Sequence, residues 1–362
     1  MKIAMFGQKQ IPSRAGGVEI VVGELSTRMA ALGHDVVCYN RGGEKVSGQI
    51  EGVRLKTVPT VNKKGLAAVT SSFFAALAVC FSNARVCHIH AEGPALMCFL
   101  PRLFGKRVIV TVHGLDWQRE KWKSGFGAKY IRWGEKMAVR FADEIIVLSR
   151  NVREYFLREY DRQTCFIPNG VTRPEKRVPA QIAEAFALQG GDYILYLGRL
   201  VPEKGAHTLI EAFKQVKTDK RLVIAGGSSD TDAYVENLKA QASSDPRILF
   251  TGFVQGQLLE ELYSNAYLYV LPSTLEGMPL SLLEAMSYGN CCVVSDIPEC
   301  TEVVENHAVS FLRGNAQALA DTLQQLCDDP QQVEAYRDAA CDFICGKYNW
   351  DHVTRKTLEL YR

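Results

Sequence analysis

Short apolar runs alternate with longer, helix-periodic stretches along the whole chain. In the first half the runs are KIAMF, DVVCY, VRLKTV, VCHIH, RVIVTV and EIIVL; in the second they are YILYL, RLVIA, RILF, YLYVL and CCVV. Between them, residues 18–32, 130–140, 206–216 and 233–242 read as helices. Strand and helix in alternation predict parallel sheets covered by helices on both faces. The pattern runs twice and breaks at residues 169–179, NGVTRPEKRVP, where proline, glycine and charge cluster. A chain of 362 residues is too long for one ordinary core. The expectation is an α/β protein of two doubly wound domains, 1–170 and 171–349, with a last helix at 350–362 that packs back on the first. Ligands of such sheets bind beyond the carboxyl ends of the strands, so two facing domains place one site in the cleft between them.

Composition narrows the class. At 47% hydrophobic and 23% charged residues the chain is globular and soluble rather than disordered. The net charge of +2 hides an asymmetry: residues 1–170 hold 25 Lys/Arg against 14 Asp/Glu, and residues 171–362 hold 17 against 26. A basic first half suits an anionic membrane surface, an anionic acceptor or nucleic acid. Residues 117–140 add to this, interleaving Trp117, Trp122, Phe126, Tyr130 and Trp133 with Lys121, Lys123, Lys129, Arg132, Lys136 and Arg140. Such a pattern forms a membrane or nucleic-acid surface, or a solvated helix face with a packed apolar side. The 11 cysteines are odd in number, several lie in apolar runs (Cys38, Cys87, Cys291, Cys292), and no CxxC occurs. They read as reduced, buried thiols of a cytosolic protein with no structural zinc. The start, MKIAMFGQKQ, enters a strand directly and lacks a signal-peptide core. The most apolar stretch, residues 66–81, is shorter than the roughly 20 residues needed to span a bilayer and reads as a buried or interfacial helix.

Candidate chemistry sits where strands end. In GQKQIPSRAGGVE, Gly16 and Gly17 let backbone approach a phosphate just before a helix N-terminus; a plain tight turn uses glycine equally. In YILYLGRLVPEKG, Arg199 and Lys204 offer a planar fork and a compact charge to phosphate oxygens. The plainer alternative is a polar loop with a Glu203–Lys204 pair. Phe253 and Val254 follow RILFTG and face either a base or the core. Asp230 and Asp232 lie among Ser228, Ser229 and Thr231 and read as an N-cap cluster rather than a metal site. His113 ends a strand beside Gly114, and Glu92 ends another on Gly-Pro. In LEGMPLSLLEAMSYGN, Pro279 suits the first turn of a helix over 280–288 and Gly289 its stop. The free N–H groups around Leu280 and Ser281 would reinforce Arg199 and Lys204 on one diphosphate. Glu276 then lies just outside the helix and Glu284 a turn inside it. Taken alone, Glu284 is a helix-dipole complement and Glu276 a loop acid.

Together these stretches resemble the retaining nucleotide-sugar glycosyltransferases of the GT-B fold, family 4, over essentially the whole length. GRLVPEKG carries that family's Arg and Lys at Arg199 and Lys204, EGMPLSLLE its paired acids at Glu276 and Glu284, and AGGVE its glycine loop. HGLDWQREKW and FIPNGV are similar to a subgroup of bacterial capsule, O-antigen and exopolysaccharide proteins. The resemblance implies two Rossmann-like domains, an N-terminal acceptor side and a C-terminal donor side. It implies a catalytic set of Glu276, Arg199, Lys204 and His113. It implies a donor-binding set of Gly16, Gly17, Phe253, Val254, Gly277, Met278, Pro279, Leu280, Ser281 and Glu284. Glu276 would touch hydroxyls of the donor sugar, Glu284 the ribose, Gly277–Pro279 and the helix start the diphosphate, and Phe253 and Val254 the base. The implied activity is transfer of a hexose-type sugar, foremost from a UDP-sugar, with retained configuration and with no metal or other cofactor. The implied acceptor is a saccharide or a polyprenyl-diphosphate-linked saccharide of cell-surface polysaccharide synthesis. The implied setting is the cytoplasm, peripheral to the anionic inner face of the cell membrane, without nucleic acid. A sugar-nucleotide epimerase of the same fold and a non-catalytic nucleotide-sugar binding subunit are the alternatives. A retired site has no need of Glu276, Glu284, Arg199 and Lys204 together.

Overall fold

The computed structural model describes residues 1–42, 48–63, 65–119, 126–229 and 231–362. The chain divides into two compact units, Met1–Asn169 with Trp350–Arg362, and Gly170–Asn349. The first holds strands β1 (Lys2–Phe6), β2 (Asp35–Asn40), β3 (Gly48–Ile50), β4 (Val53–Thr57), β5 (Val86–His90), β6 (Arg107–Val112), β7 (Glu144–Val147) and β8 (Cys165–Phe166). They lie in the order β3-β4-β2-β1-β5-β6-β7-β8, parallel throughout except for the β3–β4 pair. The second unit holds β9 (Tyr193–Leu197), β10 (Arg221–Ala225), β11 (Ile248–Gly252), β12 (Leu268–Leu271), β13 (Cys292–Ser295) and β14 (Val309–Phe311). Their order is β11-β10-β9-β12-β13-β14, and every pair is parallel.

Each of the eleven apolar runs overlaps a strand. Central strands such as β5 and β12 are buried at every position, because helices cover both faces and leave no side for polar residues. The strands without an apolar run are edge pieces. β3 is exposed along its length and β8 has two residues, so neither carries the apolar signal that burial imposes.

Helix α1 (Gly17–Ala31) starts on the glycine loop and α2 (Leu66–Cys80) crosses from β4 to β5. The helix expected over 280–288 spans Leu280–Ser287. Pro279 is its N-cap rather than part of the first turn, since its ψ of 103° keeps it extended. Gly289, at φ +75°, ends it. Within the second unit residues near its two ends pair, with Val171 N donating to Tyr348 O at 2.7 Å. The last helix, Trp350–Glu359, lies on the first unit. There Arg28 meets Asp351 at 3.0 Å, Arg107 Nε donates to Leu360 O at 2.7 Å, and Tyr361 is buried.

Residues 117–140, read either as a membrane or nucleic-acid surface or as a solvated helix with a packed apolar side, are packed on one side where they are described. Within the helix Phe126–Phe141, Tyr130 and Ile131 are buried. The Arg132 guanidinium stacks on Trp117 at 4.3 Å, and Trp133 is exposed. The neighbouring Lys121, Trp122 and Lys123 lie outside the described residues. Among the described residues no helix is long and apolar enough to cross a membrane.

Candidate active site

In the second unit β9 ends at Leu197 and the chain turns through Arg199 into a single 3-10 turn, Pro202–Lys204. Gly205 closes that turn at φ +70°. A Cβ there would fall 2.0 Å from Pro272 O, so glycine is what lets the turn press on the end of β12. Thr274 N donates to Glu203 O at 2.8 Å across the same contact. The result sets Lys204 Nζ 2.5 Å from Glu276 Oε1, with the two side chains 15% and 7% exposed. Ser273 Oγ donates to that same oxygen at 2.7 Å. Lys204 is therefore part of a largely buried ion pair with Glu276, not the solvated Glu203–Lys204 pair of the plainer alternative. Arg199 stands half-buried on the turn, whose shape is held by Tyr196 Oη donating to Arg199 O at 3.2 Å.

The helix Leu280–Ser287 begins without a side-chain cap, so the N–H groups of Leu280 and Ser281 sit in a first turn that offers them no intrahelical acceptor. Two buried tyrosines anchor this segment. Tyr269 Oη donates to Ser281 Oγ at 2.9 Å, and Tyr263 Oη to Glu284 Oε2 at 3.1 Å. Burial pushes the Tyr269 phenol well above its ordinary range, which keeps it a donor. Gly277, Met278 and Pro279 are buried beside it. Phe253 and Val254 separate: Val254 is buried, while Phe253 is 56% exposed. The core packing that seemed the plainer fate of Phe253 does not occur. At the helix Asp232–Ala242 the N-cap is Thr231 and Asp232 is a first-turn acid; Asp230 lies outside the described residues. Among the described residues no group of three or more His, Cys, Asp or Glu could hold a metal ion.

The carboxyl edge of the first sheet is built differently. His88 and His90 alternate onto one face of β5, with ring centroids 4.2 Å apart. His90 Nδ1 lies 3.1 Å from Nε2 of His113, and His88 sits between Tyr361 Oη at 2.6 Å and Thr111 Oγ1 at 2.7 Å. Burial pushes His113 down to about 4, with nearby Asp116 opposing. It pushes His88 down to about 3 and His90 well below its usual value. All three are neutral near pH 7, so each ring has one donor and one acceptor nitrogen.

Beside them Glu92 is fully buried. Its Oε2 accepts from Asp116 N at 2.8 Å. Glu135, also buried, accepts from Tyr155 Oη at 2.9 Å and from Tyr160 Oη. The remaining oxygens, Glu92 Oε1 and Glu135 Oε2, are buried without another partner. The two side chains bond each other, and burial, reinforced by Asp116 and Glu135, raises Glu92 well above the carboxylate range. Glu92 thus carries a proton and donates it to Glu135. At the glycine loop, a Cβ on Gly16 would fall 2.3 Å from Glu19 Oε2, and Glu19 Oε1 accepts from Lys9 N at 2.8 Å. The anion at the start of α1 is therefore the protein's own carboxylate.

Of the residues singled out in the sequence, the structure joins Lys204 to Glu276 and places Glu284 and Ser281 on one tyrosine-anchored helix. Ser273, Tyr263, Tyr269, His88, His90 and Glu135 were not singled out. The alternation in HIH was the signal for His88 and His90; the tyrosines lie in apolar runs and look like core.

These two parallel-sheet units, each with polar groups gathered at the carboxyl edge, have the fold of the GT-B glycosyltransferases. Residues 15–173 match the family model described as Glycosyltransferase Family 4, and residues 179–342 the model described as Glycosyl transferases group 1. The chain is a GT-B glycosyltransferase built of a family 4 domain and a group 1 domain. It is 27% identical to the alpha-maltose-1-phosphate synthase of Mycobacterium tuberculosis over 391 residues, 100% of this chain and 99% of that one. Among solved structures, sucrose-phosphate synthase from Thermosynechococcus elongatus superposes with a TM-score of 0.87 at 23% identity, covering 100% of this chain and 98% of that one. HepE of Anabaena, in complex with UDP and glucose, superposes with a TM-score of 0.84 at 18% identity, covering 99% and 98%.

Proposed function

We propose that the protein is a metal-independent, retaining glycosyltransferase. It moves a hexose-type sugar from a UDP-sugar to a saccharide or polyprenyl-diphosphate-linked acceptor of cell-surface polysaccharide synthesis, in the cytoplasm. The observation that carries this reading is the Lys204–Glu276 pair on the same unit as a helix start that no side chain caps. A cation held ready and free backbone N–H groups are what a departing diphosphate needs.

In this reading the bond from the sugar's anomeric carbon to the β-phosphate oxygen breaks as the acceptor oxygen bonds to that carbon on the same face. The acceptor's proton passes to the departing phosphate oxygen. Arg199, Lys204 and the N–H groups of Leu280 and Ser281 neutralise the leaving charge, each preorganised donor contributing roughly 3–4 kcal/mol. Glu276 holds Lys204 before the donor arrives and takes sugar hydroxyls afterwards. Glu284, fixed by Tyr263, takes the ribose. Gly277, Met278 and Pro279 border the diphosphate, and Phe253 and Val254 the base. His113, neutral, exchanges a hydrogen bond with the sugar without adding charge, and Gly16 and Gly17 form the glycine loop of the same unit. The structural likeness to a protein in complex with UDP and glucose supports the choice of UDP.

The test is calorimetric binding to a panel of nucleotide sugars, then NMR of the product's anomeric proton, with and without excess chelator. The reading fails if no nucleotide sugar binds, or if an α-linked donor gives a β-linked product. Activity lost in chelator and restored by manganese or magnesium removes the metal-independent part.

A further inference from the structure

The fifteen residues of α2, LAAVTSSFFAALAVC, include no charged side chain. One face, with Ala75, Ala76 and Val79, is buried. The opposite face carries Leu66, Phe73 and Phe74, which are 49%, 41% and 37% exposed. Just past the helix, Phe81 is 75% exposed, and its ring meets that of Phe104 edge-on with centroids 5.4 Å apart. Phe104 and its neighbour Leu103 are also exposed. Lys106 Nζ ties the two segments together by donating to Ser82 O at 2.7 Å. Single exposed apolar residues are ordinary; a group gathered from two segments marks an interaction surface.

The chain segment that carries this group is strongly basic. Residues 52–115 hold eight Lys/Arg and a single acid, Glu92, and Glu92 is buried. Arg54 and Arg102 are engaged by Asp35 and Asp143, while Lys56, Lys63 and Arg85 are exposed. Lys56 stands in the wall of a groove of about 470 Å³ whose other walls include Tyr39, Pro59, Phe74, Leu77 and Phe81.

We propose that this surface docks on an anionic lipid leaflet, with Phe74, Phe81 and Phe104 among the acyl chains and one chain in the groove, its headgroup phosphate at Lys56. The charge selects the occupant. A second copy meeting through the same patch would set these cations against themselves, whereas a leaflet offers negative headgroups outside and apolar depth beneath. The surface belongs to the first unit alone and does not rest on the transferase reading.

Sedimentation of the full chain with vesicles of phosphatidylcholine, with or without phosphatidylglycerol, tests this. Binding is expected on the anionic vesicles only and weakens as salt rises. Phe81→Ser with Phe104→Ser lowers the partition coefficient about tenfold or more, and Lys56→Glu lowers it about fivefold. Both variants keep the wild-type melting midpoint, since the altered side chains are exposed. Lys129→Glu with Lys136→Glu, on the helix Phe126–Phe141, retains binding. Equal partition onto both vesicle types, or none onto either, overturns the proposal. So does a loss in the lysine pair that matches the phenylalanine pair, or a concentration-dependent dimer that the phenylalanine pair dissolves.

Discussion

At the carboxyl edge of the second sheet the polar groups are ionised and paired, Lys204 with Glu276. At the same edge of the first sheet they are neutral: three imidazoles held uncharged by burial and a carboxylic acid that keeps its proton. The difference follows from what each group can find. Lys204 and Glu276 find each other and Ser273, so the charges survive partial burial. The histidines find other neutral rings and hydroxyls, so desolvation discharges them. One edge is prepared for an anion; at the other the histidines offer hydrogen bonds without charge.

The contrast predicts that the units fail differently in acid. A histidine kept neutral by burial gives its full stability above its unfolded pKa of about 6.5. It loses that contribution as pH falls toward the folded value, because the unfolded chain takes up the proton first. Each of His88, His90 and His113 adds roughly 1.4 kcal/mol per pH unit in this window, down to about 4 for His113 and about 3 for His88. Calorimetry between pH 7 and 5 should show the first unit's transition moving down by several kcal/mol while the second unit's, where burial also lowers His207, moves much less. His90→Gln should flatten the slope. A common slope for both units would break the comparison.

The next effect is on turnover. Arg199→Ala and Lys204→Ala should each lose about 100-fold or more in kcat, as when a donor is removed from a developing anion. From the sequence both lie on a polar loop and their loss leaves stability unchanged. The buried pair separates them. Lys204→Ala strands the Glu276 carboxylate on Ser273 alone and should also cost about 1–3 kcal/mol in urea unfolding. Lys204→Ala with Glu276→Gln should recover stability and not activity. Recovery of both would reduce Lys204 to a structural cation.

Smaller still is the effect at the acid pair. Glu92→Gln can keep both bonds, donating to Glu135 and accepting from Asp116, whereas Glu92→Ala leaves Glu135 short of a donor at about 2 kcal/mol. The sign with pH is opposite to that of the histidines. A carboxyl whose folded pKa is raised is fully stabilising below its unfolded value and loses that as pH rises toward the folded one. Glu92→Gln should therefore match wild type below about pH 4.5 and exceed it by a growing margin as pH rises through neutrality. Urea titrations at two pH values decide; equal damage from Gln and Ala would mean no shared proton.

What the sequence conveyed depends on whether the physics was local. Central strands announce themselves because both faces are buried; β3, an exposed edge, does not. The helix Leu280–Ser287 was legible from Pro279 and Gly289, residues whose backbone preferences act in place. The Lys204–Glu276 pair was not, because its partners are 72 positions apart and are brought together by tertiary contacts such as those of Gly205 with Pro272 and Glu203 with Thr274. Lys204 was singled out for its chemistry, yet its neighbour in sequence, Glu203, looked like the partner. The roles of Tyr263 and Tyr269 were hidden for another reason: a buried tyrosine in an apolar run shows its ring to pattern analysis and its hydroxyl only to the folded structure.

Phe253 and Val254 carry the contrast down to adjacent residues. β11 ends at Gly252, φ +73°, and the two following side chains part, Val254 into the core and Phe253 outward at 56% exposure. An outward aromatic ring gains little from its own fold, so Phe253→Ala should leave the melting midpoint within about 0.5 kcal/mol of wild type. If the ring lies against the base of the donor nucleotide, its loss removes a stacking contact of about 1 kcal/mol. That is roughly a fivefold rise in the nucleotide's Kd with kcat nearly unchanged, the mark of a contact made equally in ground and transition states. Val254→Ala should do the reverse, costing about 1–2 kcal/mol of stability and, because the side chain is buried and leaves little surface for the base, changing affinity less than Phe253→Ala. Calorimetry of UDP binding to both variants, beside their urea midpoints, separates the two. An unchanged Kd in Phe253→Ala would leave the ring without a ligand and place the base elsewhere on the second unit.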